Sequence, residues 1–474
     1  MTADRQAQTY APRRTILELA EMIGEPVTAA AFPEATLRWR NDRAAHGVGL
    51  ENLTDAKWLA HFGRFEPLPG SLEVPLALRY HGHQFRVYNP DIGDGRGFLF
   101  AQLTGDRCRL LDLGTKGSGT TPYSRSGDGR LTLKGAVREL LASEMLEALG
   151  VTTSRTFSIV ETHEELWRGD EPSPTRSAVL VRLSHGHIRI GSFQRLAHQG
   201  DAAGMQRLAR YCLVHLHGHD ADTVAGLDDQ ALAGALLTEL VARAADLVAS
   251  YMAAGFVHGV LNTDNIAITG ESFDYGPWRF APNWAPAFTA AYFDHNGLYS
   301  FGRQPEALHW NCAQLAIALR TIAEAPPMIA ILEGFADAYR AAFVARFLWR
   351  LGVASRGFDD DLALVAAAEA MMVATAMPIA DFFFAYAAGR GATGEAERGE
   401  FEGMLAAYRP ARNLDAPYWA CATSQSMLID EVEAIWAAIA EHDDWQPLMA
   451  KVAAVRDMGA AMGRFVPSAS VGPE

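Results

Sequence analysis

Cysteine is scarce in this sequence. Its four cysteines, Cys108, Cys212, Cys312 and Cys421, have neither CxxC spacing nor the density of a disulfide framework in a chain of 474 residues. This usage excludes a small secreted fold held by disulfides and fits a reducing compartment. We therefore expect a cytoplasmic protein whose cysteines fill space in the interior.

Basic residues are also fewer than acidic residues. Forty-one Lys and Arg residues stand against 56 Asp and Glu residues, and the net charge is -15 at pH 7. We expect no nucleic-acid partner, because contacts to a phosphate backbone require a basic face. A local basic pocket remains compatible with this total.

Long apolar runs are missing as well. Those that occur are interrupted by Pro378, Asp381 or His258, and the first residues, MTADRQAQTYAPRRT, have no apolar core after their charges. We therefore expect neither a membrane span nor a signal peptide.

The sequence does have an apolar fraction of 49%, which is ample for a large core. Short strands flanked by Gly, Asp or Pro dominate from Tyr80 to about residue 191. Residues 132–150 interrupt them with apolar positions at helical spacing, a possible cap at Thr132 and a stop at Gly150. The predicted strands are FLFAQL (98–103), CRLLDL (108–113), RTFSIVE (155–161) and SAVLVRL (177–183).

Helical periodicity dominates from residue 200 onward, so the chain as a whole is predicted to be α+β with two lobes. The predicted helices are 236–255, 305–324, 329–350, 360–377 and 395–408. The predicted domains are an amino-terminal leader and helical extension (1–75), a β-rich lobe (76–200), a large helical lobe (201–465) and a disordered tail (466–474).

The stretch 258–276 has the layout of a protein-kinase catalytic loop followed by its metal-binding Asp-Phe-Gly triplet. His258, Leu261 and Asn265 take the His, Leu and Asn places of the pattern H-R-D-L-x-x-x-N. Asp274-Tyr-Gly takes the place of the triplet. Asn265 and Asp274 offer the hard oxygen ligands that Mg²⁺ with nucleotide phosphates requires, although both residue types are also common in plain turns.

The catalytic aspartate of that pattern is missing, because Val260 stands in its place. A valine cannot accept a proton. Either the protein is catalytically inactive or the chemistry uses another carboxylate, and Asp264 is the nearest one.

A glycine-rich stretch precedes the first strong strand and suggests a phosphate contact. In Gly93-Asp-Gly95-Arg96-Gly, the glycines free the backbone and Arg96 adds positive charge. Alone this pattern is typical of a turn, but Lys116 follows on the next strand and Glu139 on the inserted helix. This is the kinase order of glycine loop, lysine and glutamate, in which the lysine holds phosphates and the glutamate holds the lysine.

Other polar residues leave alternatives open. Arg182 and Arg189 lie beside aliphatic residues and need anionic partners, which a triphosphate or a structural carboxylate could supply. Pairs and triplets of alternating histidines suggest a zinc site, but none has a carboxylate at a recognised spacing, so we expect loop or core roles for them. These histidine groups are His81/His83, His185/His187 and His215/His217/His219.

With these residues assembled, the chain resembles the selenoprotein O (YdiU) family of pseudokinases, which act as protein adenylyltransferases. The blocks 80–97, 114–140, 184–193 and 255–277 carry the resemblance. It implies a bilobal protein-kinase-like fold and an inverted ATP, so that AMP passes to a Ser, Thr or Tyr hydroxyl of a protein and pyrophosphate leaves. It also implies ATP with Mg²⁺, or Mn²⁺, as cofactors. We expect a monomer.

Carried over by position, the resemblance also implies a role for each candidate residue. Asp264 would be the base, and Glu139 would orient Lys116. Asp128 and Gly129 would flank the nucleotide, and Asn265 and Asp274 would bind the metal ion. The residues that would contact the phosphates are Gly93, Gly95, Arg96, Lys116, Arg182 and Arg189.

The sequence departs from the family at two points. Its end, RFVPSASVGPE, has no cysteine, so a redox-linked carboxy-terminal thiol is not expected. Arg86 stands where the family generally has glycine, where it could alter nucleotide handling or simply point into solvent. Two other functions remain open: a nucleotide-binding scaffold without turnover, and an ordinary phosphotransferase.

Overall fold

The protein has a mixed α+β fold, as the sequence predicts. The structure is a computed structural model and describes residues 9–169, 171–391 and 399–466. An antiparallel sheet occupies most of the first 184 residues, and helices dominate the rest of the chain. The predicted tail after residue 466 and the predicted helical residues 395–398 lie outside the described residues.

Most of the strands belong to one sheet. The strands are β1 (Pro12–Arg13), β2 (Gly24–Pro26), β3 (Thr36–Arg40), β4 (Leu76–Leu78), β5 (Gly82–Gln84), β6 (Val87–Asn89), β7 (Leu99–Thr104), β8 (Leu110–Lys116), β9 (Leu131–Thr132), β10 (Arg155–Leu166), β11 (Thr175–Ser184), β12 (Phe256–Val257) and β13 (Arg279–Phe280). Among the described residues, nine of them form a sheet in the order β2-β4-β7-β8-β11-β10-β3, with β1 beside β7 and β9 beside β11. β5 and β6 form a separate hairpin, and β12 and β13 form a separate two-stranded sheet.

The helices follow the predicted periodicity in most places. They are α1 (Ala20–Ile23), α2 (Asp42–His46), α3 (Asp55–Phe62), α4 (Leu133–Ala148), α5 (Ile190–Gln199), α6 (Ala202–Tyr211), α7 (Ala221–Ala225), α8 (Asp229–Ala254), α9 (Gln304–Leu319), α10 (Ala325–Glu333), α11 (Phe335–Leu351), α12 (Phe358–Thr375), α13 (Ile379–Ala385), α14 (Glu400–Leu405), α15 (Ile429–His442) and α16 (Gln446–Met462). The single helix predicted at 329–350 is wrong, because the chain breaks at Gly334 into α10 and α11. Glycine weakens a helix interior.

The sheet is buried on both faces, and this decides where its polar residues point. Leu111 and Val181 belong to a core that includes the aromatic side chains of α3, whereas Leu110 and Leu180 belong to the core shared with α4. Side chains along a strand alternate between faces. Lys116, opposite Leu180 in the register, therefore faces α4.

The segment before residue 75 is part of the main sheet. It supplies β1, β2 and β3 to the main sheet, with Arg13 opposite Gln102 and Trp39 opposite Ile159. The domain boundaries remain a prediction, but the one at residue 75 does not coincide with an edge of this sheet.

The last two helices pack back onto the first half of the chain. Arg456 on α16 donates two hydrogen bonds to Glu144 on α4, at 2.8 and 2.7 Å. Lys134 on α4 forms an ion pair with Glu433 on α15 at 2.7 Å. The carboxy-terminal helices thus support the helix on which Glu139 lies.

Two expectations from composition can be compared with this fold. Cys212 and Cys312 are buried, but Cys108 and Cys421 are exposed, so the expectation that all four fill the interior is wrong. Cys108 lies in the turn between β7 and β8, where there is no core to fill. In the part of the chain that the structure describes, no helix combines the length and apolar content needed to cross a bilayer.

Candidate active site

A cavity of about 560 Å³ brings together most of the predicted site residues. It lies between the β7–β8 hairpin, the turns around residue 128 and the loops that follow α8. Glu139 and Asn265 are not part of its lining. The predicted residues that line it are Gly93, Gly95, Arg96, Lys116, Asp128, Gly129, Arg182, Arg189, Asp264 and Asp274.

Lys116 and Glu139 form a buried ion pair between β8 and α4. The Lys116 ammonium contacts a Glu139 carboxylate oxygen, and the side chains are 8% and 4% exposed. Thr132 caps α4 as predicted, since its hydroxyl accepts the Gly135 N–H at 3.1 Å. A buried charge needs a partner, so the pair fixes the position of both side chains.

Asp274 joins this pair from the other side of the cavity. The Lys116 ammonium lies 2.8 Å from its carboxylate, Arg182 lies at 3.5 Å and Arg189 at 3.9 Å. Burial would raise the pKa of Asp274, but these three cations outweigh burial and hold the pKa well below its usual range. Asp274 is therefore ionised at any pH at which the protein would work.

Arg189 is held in place by aromatic rings and oxygen atoms. Its guanidinium lies 4.4 Å from the Tyr80 ring centroid and 4.9 Å from that of Phe273. It donates to Asp94 at 3.1 Å and to the backbone carbonyl of Asp264 at 3.0 Å. Sequence patterns missed Tyr80 and Asp94, since only the fold brings them beside Arg189.

Asp264 differs from Asp274 in its environment. It lies in a short 3-10 helix, Thr263–Asn265, is 8% exposed, and its Oδ1 atom has no hydrogen-bond partner among the described residues. Burial raises its pKa to about 6, with Arg189 opposing the shift and Asp274 adding to it. Such a carboxylate is a better proton acceptor than an ordinary surface aspartate.

The loop around Val260 has internal hydrogen bonds that position its polar residues. His258 donates from Nε2 to the carbonyl of Phe273 at 3.1 Å, which links this loop to the residue before Asp274. Burial lowers the pKa of His258, which favours the neutral ring. The Asn265 side-chain NH₂ donates to the Val260 carbonyl at 2.9 Å. This contact leaves the amide oxygen of Asn265 as its available ligand atom.

The glycines of the 93–97 turn are required by close packing. A Cβ at Gly93 would lie 2.5 Å from the ring of Tyr123, and one at Gly97 would lie 2.0 Å from the carbonyl oxygen of Thr115. Arg96 is exposed in this turn, and it forms no ion pair within the described ranges. Its charge is therefore free to meet an anion in the cavity.

Asp128 and Gly129 form the opposite wall. Asp128 accepts two hydrogen bonds from Arg168, at 2.9 and 3.1 Å. Although burial opposes it, the backbone N–H of Arg130 and the Arg168 guanidinium lower the pKa of Asp128. Gly129 has φ +70°, and a Cβ there would lie 2.2 Å from the backbone of Gly119. Sequence patterns also missed Arg168, because it lies in a polar hairpin tip.

The β5–β6 hairpin is attached to the loop that carries Asp264. The hydroxyl of Thr263 accepts the His83 N–H at 2.7 Å and donates to Gln194 at 2.7 Å. The side-chain oxygen of Asn262 accepts the Phe85 N–H at 2.9 Å. These contacts hold the hairpin, from which Gln84 lines the cavity, against the Asp264 loop.

Arg86 lies on this hairpin but does not line the cavity. It pairs with Glu306 at 2.8 Å, and its guanidinium lies 5.4 Å from the Trp310 ring centroid. Its φ is +63°, a left-handed conformation that glycine adopts without strain. This explains why a glycine would suit the position. Of the two alternatives considered from the sequence, exposure to solvent agrees with the structure, since Arg86 is exposed, and an effect on nucleotide handling stays a prediction.

The histidine groups do not form a metal cluster. Over the described ranges, no three His, Cys, Asp or Glu side chains are placed to hold a metal ion. His185 contacts two backbone carbonyls, at 2.9 and 2.7 Å, and His187 contacts Asp112 at 3.2 Å. These are the core roles expected from the sequence.

Comparison with known proteins identifies relatives over most of the chain. The model of the family described as "Protein adenylyltransferase SelO" matches residues 6–402. A protein named "Protein nucleotidyltransferase YdiU" from Synechococcus elongatus is 48% identical over 362 residues, covering 75% of this chain and 70% of the relative. A protein of the same name from Gloeobacter violaceus is 44% identical over 443 residues, covering 89% and 90%.

Proposed function

The chain belongs to the SelO family of protein adenylyltransferases and is a nucleotidyltransferase; from this premise we propose that it transfers AMP from ATP to Ser, Thr or Tyr hydroxyls of proteins and releases pyrophosphate. We propose further that it works in the cytoplasm with Mg²⁺, or with Mn²⁺ in its place, and that its architecture is the bilobal plan of a protein kinase. The last point is supported by the Lys116–Glu139 pair between β8 and α4.

The phosphate groups of ATP would be held by the cations that now surround Asp274. Lys116, Arg182 and Arg189 converge within 4 Å of one carboxylate, so their charges are aimed at one volume of the cavity. Guanidinium and ammonium groups recognise phosphate through charge-assisted hydrogen bonds. Arg96 would add a fourth charge from the glycine turn.

The donor set also fits a divalent cation. Asn265 offers an amide oxygen and Asp274 an ionised carboxylate, which suits Mg²⁺ because this ion prefers oxygen ligands and takes its remaining positions from phosphate and water. When bound, the ion would neutralise charge on the phosphates. The cations around Asp274 would then orient the nucleotide.

Asp264 is the proposed base. A hydroxyl of the target protein would give its proton to the Asp264 carboxylate while the hydroxyl oxygen forms a bond to the α-phosphorus. The bond from that phosphorus to the bridging oxygen breaks, and pyrophosphate leaves with the electron pair. The unpartnered Oδ1 and the pKa of about 6 support this role. Because the reacting phosphorus would differ from that of a kinase, a base at Val260 is not required.

One observation carries the proposal: Lys116, Asp274, Arg182, Arg189 and Asp264 line the same cavity although they are up to 158 residues apart in the chain. The test is intact-mass analysis of the protein and of added protein substrates after incubation with ATP and Mg²⁺. We expect a mass gain of one AMP. Label from α-phosphate-labelled ATP should appear on protein, and label from the γ position should not.

A matched pair of variants separates this proposal from its alternatives. Asp274→Ala should abolish AMP transfer. Asp337→Ala should not, because its side chain is exposed and does not line the cavity. Transfer of the γ label alone would indicate an ordinary phosphotransferase. A rise in melting temperature with ATP, but no label on protein, would indicate a nucleotide-binding scaffold.

A further inference from the structure

A second cavity, of about 720 Å³, lies away from the first and shares no lining residue with it. It is formed by the β7–β8 turn, the carboxy-terminal end of α4, the start of β10, and parts of α8, α11 and α16. Its volume falls in the range of ordinary small-molecule sites, about 300–1,000 Å³.

Arginine dominates the lining of this second cavity. Eight arginines and five carboxylates line it, an excess of positive charge in a protein whose net charge is -15. The eight are Arg43, Arg107, Arg109, Arg155, Arg243, Arg346, Arg456 and Arg464.

Five of these arginines form ion pairs with carboxylates. Arg456 pairs with Glu144 at 2.7 Å, Arg155 with Glu147 at 2.9 Å, and Arg346 with Asp246 at 2.6 Å. Arg43 also contacts Glu144 and Glu147, and Arg243 pairs with Glu239. These pairs form the walls of the cavity and need no ligand.

The other three arginines, Arg107, Arg109 and Arg464, take part in none of the close ion pairs among the described residues. Asp106 nevertheless attracts Arg107 and Arg109, and Glu271 attracts Arg109. The Nε atom of Arg109 is buried without an acceptor. Burial lowers the pKa of Arg107, and repulsion from Arg464 and Arg109 lowers it further. Three cations face two carboxylates here, so an excess of positive charge remains that an anionic ligand would offset.

We propose that this arginine cavity binds a small anion that carries several phosphate groups. Guanidinium forks match phosphate oxygens in pairs, and three unpaired forks match a chain of phosphates better than a single carboxylate. Inorganic polyphosphate, pyrophosphate and the triphosphate of a free nucleotide share this chemistry. The ligand would be held by Arg107, Arg109 and Arg464.

A short chain segment links the arginine cavity to the first cavity, the proposed nucleotide cavity. Glu271 lines the arginine cavity, while Asp274, three residues later, lines the other. Thr153, also in the arginine cavity, hydrogen-bonds to the hydroxyl of Tyr275. One short segment, 271–275, therefore connects the two.

The test is calorimetric titration of the metal-free, full-length protein with inorganic tripolyphosphate. We expect a binding event that Arg107→Gln/Arg109→Gln weakens at least about tenfold, since the double variant removes two charge-assisted contacts to the ligand. Arg182→Gln, a change in the proposed nucleotide cavity, should leave that event in place. Parallel titrations with pyrophosphate, ATP and AMP distinguish a free polyphosphate from a nucleotide.

The matched control is Arg64→Gln/Arg320→Gln, which removes two exposed arginines outside both cavities. Equal weakening in this control would overturn the proposal, because binding would then follow total charge. The proposal would also be overturned if Arg182→Gln abolished tripolyphosphate binding, or if the unaltered protein did not bind tripolyphosphate. If the double variant at 107 and 109 does not fold, the exposed Arg464→Gln alone should still weaken binding.

Discussion

At the scale of single residues, the proposed nucleotide cavity holds two aspartates with opposite proton affinities. Asp274 is surrounded by three cations and stays ionised, whereas Asp264 is buried with one oxygen unpartnered and has a pKa of about 6. Divergent environments of this kind separate a charge-bearing carboxylate from a proton-accepting one. The separation comes from the fold, because both residues are plain loop aspartates in the sequence.

Replacing Asp264 should change how stability depends on pH. Its pKa is about 6 in the folded chain and 3.8 as the ordinary value, so the folded state binds more protons between pH 4 and pH 6. Stability from this group is therefore present below pH 4 and lost as the pH rises through 6. Asp264→Asn, which resembles the protonated form, should be more stable than the unaltered protein by ~3 kcal/mol above pH 6 and similar to it near pH 4.

Urea unfolding of both metal-free proteins at pH 4, 5, 6 and 7.5 measures this difference. The control is Asp337→Asn, at a side chain that is 86% exposed, whose effect should not vary across the range. A stabilisation by Asp264→Asn that is the same at every pH would contradict the raised pKa.

Arg86 offers a test of backbone strain at one residue. Its φ of +63° is unfavourable for any side chain with a Cβ, and the contacts with Glu306 and Trp310 compensate. Arg86→Ala loses the contacts and keeps the strain, whereas Arg86→Gly loses both. The glycine variant should be more stable than the alanine variant by about 1 kcal/mol in thermal or urea unfolding. Equal stability would mean that the left-handed backbone costs nothing here.

How much of the site is visible in the sequence depends on the kind of residue. Lys116, Glu139 and Asp274 follow a known order of chemical groups, and the fold brings them together. Tyr80 and Arg168 escape sequence analysis, because an aromatic ring under a guanidinium and an arginine in a hairpin tip have no local signature. Their roles follow only from long-range packing.

At the scale of elements, the β5–β6 hairpin is attached to the Asp264 loop by a threonine. The Thr263 hydroxyl is fully buried and makes two hydrogen bonds, to His83 N–H and to Gln194. Thr263→Val keeps the shape and removes both bonds. It should destabilise the protein by ~2 kcal/mol, because two buried polar groups lose their partner. Urea unfolding measures the change.

Thr269 provides the control on the same loop region. It is also buried, but its hydroxyl has no hydrogen-bond partner among the described residues. Thr269→Val should therefore be neutral or slightly stabilising. If both variants cost the same, the effect of Thr263 would come from packing and not from its hydrogen bonds.

Elements differ in how well the sequence predicts them. Long periodic helices such as α4 and α8 are recognisable because their apolar positions repeat over several turns. The strands β1 and β2 have two and three residues and fall in the predicted leader. Segments this short contain no repeat, and their place in the sheet is decided by partners far along the chain.

At the scale of the whole molecule, helices beyond the family match support the site. The family match ends at residue 402, yet α16 packs on α4 through Arg456 and Glu144, which are 312 residues apart. Glu144 is 4% exposed on its side chain, so removal of Arg456 leaves a buried carboxylate with only Arg43 nearby. Arg456→Met should destabilise the protein by ~3 kcal/mol.

A second substitution identifies the cause. In Arg456→Met/Glu144→Leu the unpaired carboxylate is gone, so most of the lost stability should return. Urea unfolding of both variants makes the comparison. If the double variant is no more stable than the single one, α16 is held by shape and apolar packing, and the ion pair is incidental.

The cluster around Asp274 has a consequence for how ligands would enter in the proposed reaction. The Asp274 carboxylate already serves as the counterion of Lys116, Arg182 and Arg189 in this cavity. An incoming triphosphate would compete with Asp274 for these cations, and the carboxylate would then be available to hold a divalent cation. Nucleotide and metal would thus enter by exchange, each tightening the other by an equal factor, as reciprocal coupling requires.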